Sequence, residues 1–202
     1  MVVLAIILFV SPCSAHIIEC VTKFELPKGE LKWSKTRPSS AKMCIPAAFS
    51  DSKGNIIGSY RIGGKTYQRS RMRMNISLDG DTFYISRNWM SDNGFQQLTL
   101  VCDSKPMRFR SSDRSMRRAL CKDKDGAFIL ESNYPMTLTS FAYYCSKYST
   151  NAVYLDMGEY GYGYIKKGWF IRPLHIWGFF ARHKQTNWLY IEWPIRLDNH
   201  HI

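Results

Sequence analysis

The apolar and polar positions change their period several times along the chain. Val2 to Val10 is an unbroken apolar run, closed by Ser11-Pro12. Residues 16–43 show no clear periodicity and carry Pro27, Gly29 and Pro38, which predicts one strand near Cys20–Phe24 and then loop. Beyond them, short β-rich runs come in pairs around glycine-bearing turns. Ile56–Ile62 and Lys65–Arg69 flank Gly63-Gly64, and Met74–Leu78 and Thr82–Ser86 flank Asp79-Gly80-Asp81. Arg118–Cys121 and Ala127–Glu131 flank Lys122-Asp123-Lys124-Asp125-Gly126. Each pair predicts a hairpin, since a tight reversal needs the positive φ that glycine adopts freely. Leu98–Cys102 reads as a further strand.

One stretch changes to a helical period. Leu138, Phe141, Ala142, Cys145 and Tyr148 fall on one face at a spacing of about 3.6 residues, and Thr137 stands before them as an N-cap. This predicts a helix over 137–148. Ala152–Leu155 then reads as a buried strand ending at Asp156. Further strands are expected at Trp169–Arg172, Ile176–Ala181 and Trp188–Trp193. Many strands with one principal helix packed on a sheet make an α+β domain of antiparallel or mixed sheets. No repeat or linker divides it, so residues 16–202 are expected to form a single domain.

Composition adds that the chain can fold. It has 202 residues, 45% apolar and 14% aromatic, ample for one packed core. The opening run, too short to span a bilayer, reads as a signal peptide with Cys13-Ser14-Ala15 before a cleavage point at His16. No Lys or Arg precedes Val10. Lipid attachment at Cys13 is the alternative, which Pro12 fits badly. A secreted or periplasmic protein without a membrane span is the expectation. Cleavage leaves five cysteines, Cys20, Cys44, Cys102, Cys121 and Cys145, hence at most two bridges, whose pairing the sequence does not give. Cys102, Cys121 and Cys145 lie in apolar patterns and read as plain buried thiols. The histidines are scattered and no Cys/His spacing suits zinc, so no metal or cofactor is expected.

The net charge of +12 concentrates in Arg61–Arg73 and Lys105–Arg118, which favours an anionic partner such as a phosphorylated or acidic glycan. Aromatic and basic residues interleave at Arg69–Arg73 and Tyr84–Trp89, yet no nucleic-acid motif appears and export argues against that class. The G-x-S-x-G elbow, the phosphate loop, G-x-G-x-x-G after a strand and H-E-x-x-H are all absent. The segment that draws the eye is Asn151 to Tyr164, where a hydrophobic strand ends in Asp156 and enters a glycine-rich loop holding Glu159. A carboxylate at a strand end beside a loop is a frequent functional placement. Tyr160, Tyr162 and Tyr164 offer flat rings on which a sugar could pack.

The order of several segments resembles the phosphodiester glycosidases, the family of the mannose-phosphate uncovering enzyme. Ala47-Ala48-Phe49 followed by Asp51–Gly58 is similar to an early small-small-aromatic element and its hairpin. Arg117-Arg118-Ala119-Leu120-Cys121 with its Asp-rich turn is similar to an Arg-Thr-Ala strand and turn. Met136-Thr137-Leu138 matches a helix start, Leu155-Asp156 the beginning of Leu-Asp-Gly-Gly-Gly-Ser, and Asn187-Trp188-Leu189-Tyr190 a late Asn-led strand. The family's three glycines and serine stand here as Met157-Gly158-Glu159-Tyr160, and its threonine as Arg118. The resemblance spans roughly residues 44–192. It implies hydrolysis of a sugar-1-phosphodiester, or a diverged site whose substrate differs or whose activity is lost. It further implies Asp156 as the carboxylate at the anomeric carbon, Arg117 at the phosphate with Arg118 beside it, and Asn187 lining the site. Glu159 is a second acid/base candidate without a family counterpart. Adjacent strand residues face opposite ways, so only one of the two arginines can face the site. A non-catalytic module that binds phosphorylated or acidic glycans is the alternative.

Overall fold

A computed structural model describes residues 15–18, 20–67, 72–157, 163–167, 170–173 and 187–192. In chain order the first strands are β1 (Ala15–Ile18), β2 (Val21–Glu25), β3 (Leu31–Ser34), β4 (Met43–Pro46), β5 (Tyr60–Ile62) and β6 (Lys65–Tyr67). They are followed by β7 (Asn75–Asp79), β8 (Thr82–Ser86), β9 (Asn93–Gln96), β10 (Thr99–Cys102) and β11 (Lys105–Pro106). Then come β12 (Arg118–Lys122), β13 (Ala127–Ser132), the helix α1 (Leu138–Tyr148), β14 (Asn151–Leu155), β15 (Tyr164–Lys167), β16 (Phe170–Pro173) and β17 (Trp188–Ile191).

The strands form three sheets. A seven-stranded sheet runs β1-β2-β13-β12-β14-β10-β11, and two five-stranded sheets run β16-β15-β4-β17-β3 and β6-β5-β9-β7-β8. The recorded pairings are antiparallel throughout. The α+β architecture with one principal helix is therefore what the pattern of positions predicts.

The three expected hairpins form where the turn residues place them. Ile62 pairs with Lys65, leaving Gly63 and Gly64 as a two-residue loop at φ 55° and 77°. A loop with positive φ at both positions matches the twist of the flanking strands, and a side chain there would be strained. In the Asp-rich turn, Asp123 Oδ1 accepts from the backbone N–H of Asp125 and Gly126, at 2.8 and 3.1 Å. The helix begins at its expected cap, Thr137, whose Oγ1 accepts from Ser140 N at 3.1 Å. Trp188–Ile191 and Phe170–Pro173 fall in expected strands, while Ile176–Ala181 lies outside the described residues.

Residues 16–43 differ from the expectation of one strand and loop: they contain β1, β2 and β3. The partners that define β3 are remote, since Leu31–Ser34 pairs with β17 near the far end of the chain. Local periodicity carries no trace of such a partner.

The seven-stranded sheet is buried on both faces. One face meets the two smaller sheets through Trp33, Ile45, Ile76, Phe83 and Phe95 packed with Leu120, Ile129, Val153 and Leu155. The other carries α1, whose Phe141, Ala142 and Cys145 cover Leu100, Val101, Ala119, Cys121 and Ala152. Alternate residues of β12 and β14 serve the two cores, which is why both strands read as continuous apolar runs. Among the described residues no helix is long and apolar enough to cross a membrane.

Candidate functional site

The segments singled out in the sequence meet at one end of β14. Asp156 follows the strand directly, and its backbone N–H donates to Ala47 O at 2.8 Å. The next residue, Ala48, is gripped by Asn187, whose Oδ1 accepts from Ala48 N at 2.6 Å and whose Nδ2 donates to Ala48 O at 2.9 Å. Trp33 Nε1 donates to the same Oδ1 at 3.2 Å, and Gln97 Nε2 donates to Ala47 O at 3.3 Å. Phe49 then packs on Tyr154, with ring centroids 5.3 Å apart.

Arg117 closes the group from β12's side. Its guanidinium donates to Met136 O (3.1 Å), to Tyr154 Oη (3.4 Å) and to Asp113 O (2.9 Å), and it lies 3.4 Å from the Asp113 carboxylate. The Met136-Thr137-Leu138 helix start thus reaches the same place through a backbone carbonyl. Arg117 is 6% exposed, whereas the Asp113 side chain is 73% exposed.

Arg118 points the other way, as strand alternation requires. It is fully buried and ion-paired with Glu131, the residue directly opposite on β13. A guanidinium enclosed there is a structural group, not one displayed to a ligand. Asn187 is likewise wholly buried, with its amide used up by the Ala48 backbone and Trp33. It shapes the site from behind. Glu159, Tyr160 and Tyr162 lie outside the described residues. Tyr164 is on β15 with its ring buried in a small cluster with Ala41, Cys44 and Trp188.

Tyr154 is the residue the sequence reading passed over. Burial pushes its phenol up, Arg117 pulls it down, Asp156 raises it and Arg118 lowers it. It therefore stays protonated at neutral pH, beside the Arg117 guanidinium. The signal was available: Tyr154 stands two residues before Asp156, on the same side of the strand. Met157, where the resembled family has glycine, is buried at 6% exposure and fills the space at the strand end.

Other features have local explanations. Asn75 of the Asn75-Ile76-Ser77 triplet is buried, accepting from Gln96 Nε2 at 2.8 Å and donating to Arg87 O at 2.8 Å. In the second basic stretch Lys105, Arg108, Arg110 and Arg114 are exposed, whereas Arg117 and Arg118 are buried. A groove of about 430 Å³ opens between α1 and Pro106–Arg108, lined also by Thr139, Tyr143 and Tyr144, and it includes none of the expected site residues. Among the described residues no group of three or more His, Cys, Asp or Glu side chains is placed to hold a metal ion.

No protein-family model matches the chain, and no curated protein matches it significantly.

Proposed function

We propose that the chain is a diverged, exported hydrolase that cleaves the glycosidic bond of a sugar-1-phosphodiester. The observation that carries this reading is the meeting of Ala47–Phe49, Arg117, Met136, Tyr154 and Asp156 at one strand end, from segments far apart in sequence. Hydrolysis breaks the bond between the anomeric carbon and the phosphate oxygen. The leaving phosphomonoester gains charge and needs a cation, and the oxocarbenium-like carbon needs a carboxylate. Asp156 serves as that carboxylate, acting as nucleophile or as base for water. Arg117 serves the phosphate, which displaces the exposed Asp113 carboxylate from the guanidinium. Tyr154, protonated and bonded to Arg117, orients the guanidinium and can donate to a departing oxygen.

The second reading is a non-catalytic module that binds phosphorylated or acidic glycans. Two observations favour it: Arg118 is committed to Glu131, and Met157 fills the strand end with side-chain bulk. The charge of +12 suits either reading.

A panel of sugar-1-phosphodiesters separates the two. The hydrolase reading expects turnover by the purified chain and a loss of at least about a hundredfold in Asp156→Asn, with an unchanged melting temperature. Equal rates in the variant remove Asp156 from the chemistry. No turnover by a folded chain, with glycan binding that weakens steeply between low and physiological salt, selects the binding module.

A further inference from the structure

The groove between α1 and Pro106–Arg108 is held by bonds of its own. Met107 N donates to Leu100 O at 2.8 Å, which ties one wall to the seven-stranded sheet. Thr139 Oγ1 donates to Phe109 O at 3.0 Å and accepts from Phe109 N at 2.9 Å, which ties the same wall to the first turn of α1. Its volume of about 430 Å³ falls within the roughly 300–1,000 Å³ of small-ligand clefts.

The lining combines open apolar surface with positive charge. Tyr143 is 54% exposed and Met107 45%, so a ring and a thioether face solvent inside a cleft. Arg108 lines the same cleft and is exposed, with Lys105 and Arg110 exposed on either side of it in the chain. Lys147 Nζ stands 4.7 Å from the Tyr143 ring centroid and 5.2 Å from that of Tyr144, so attraction to the rings keeps a further cation at the groove's edge. No acidic side chain lines the groove, and α1 carries none. The two acids of residues 103–118 have other neighbours: Asp103 lies 3.8 Å from the Cys102 thiol and Asp113 3.4 Å from Arg117.

We propose that this groove binds a saccharide whose pyranose rings carry carboxylates. Such a ring has an apolar face of C–H groups, which packs on the exposed Tyr143 ring, and hydroxyls at its rim, which meet Ser140. Its carboxylate meets the Arg108 guanidinium, whose paired N–H donors fit two carboxylate oxygens. The rings argue against a run of nucleotide bases. Tyr143 and Tyr144 stand at 66° with centroids 5.9 Å apart, so they offer one platform and an edge, not the successive platforms on which bases stack. The groove contains none of Arg117, Tyr154 and Asp156, so the proposal does not depend on hydrolysis at the strand end.

The full chain is titrated calorimetrically at low salt with a short oligogalacturonate, and in parallel with its methyl ester, which keeps the rings and removes the charge. The acid is expected to bind at least about tenfold more tightly than the ester and to weaken at physiological salt. Tyr143→Ala and Arg108→Ala should each weaken binding about tenfold, with melting temperatures unchanged because both side chains are exposed. The strand-end variant Asp156→Asn should bind the acid as the parent does. No binding by the folded chain overturns the proposal, as does equal binding of acid and ester. Loss of binding in Asp156→Asn but in neither groove variant also overturns it and moves the saccharide to the strand end. Single-stranded DNA that binds where the acid does not, and that Tyr143→Ala releases, overturns it in favour of a nucleic-acid site.

Discussion

Cys44 sits on β4 with its side chain fully buried, and burial pushes its thiol up to about 12 against the opposing pull of Arg37 and Lys166. The folded chain thus holds this proton more tightly than the unfolded one does. The stability it contributes is complete below the unfolded value of about 9 and is lost as the pH rises towards 12. Urea midpoints are expected to fall as the pH rises from about 9 towards 12, and Cys44→Ala to flatten that decline. An unchanged slope in the variant would move the effect to another group. The same scale shows how far the sequence could be read. That Arg117 and Arg118 face opposite ways follows from strand alternation alone. That Arg118 meets Glu131 follows only once Asp123–Gly126 is known to be the whole turn, because the turn length sets the register that puts them opposite. Asn187 could be singled out in the sequence but not recognised as a clamp, because its partners at Ala48 and Trp33 are remote in the chain.

Elements bounded by local turn chemistry were the legible ones: the three hairpins, the capped helix and β14. Strands such as β4 and β9 were not. Met43–Pro46 is buried at every position, so it shows no alternation, and Asn93–Gln96 opens with residues of poor strand propensity. Tertiary packing makes β9 a strand, and Gly94 is the reason that packing succeeds. A Cβ at Gly94 would run into the carbonyl of Ile76 and approach the Trp89 ring to 2.9 Å. Gly94→Ala is expected to cost about 3 kcal/mol by forcing β7 and β9 apart. Gly80→Ala, at φ 57° with open space around it, should cost only about 1 kcal/mol. Melting of the two variants checks the order, and equal losses would mean that the β7–β9 contact yields.

Across the molecule one core joins all three sheets, with Trp33 stacked on Phe95 at 6.0 Å and packed within the cluster that also holds Leu120 and Val153. No sheet can leave without opening that core. Unfolding in urea is therefore expected to be a single transition, with tryptophan fluorescence and far-ultraviolet dichroism giving the same midpoint. Separate midpoints would show that the smaller sheets come away first. The fold class was legible at this scale because it depends on counting elements. The division into three sheets was not, because it depends on which distant strands meet.

The seven-stranded sheet ends at one side on β11, only Lys105 and Pro106, both exposed. An unfinished ladder is an invitation for a second molecule to add its own strand. Here the proline offers no amide hydrogen and the lysine would have to surrender its hydration. That margin is thereby closed to growth by strand addition, so the chain can be concentrated without nucleating fibrils along this border.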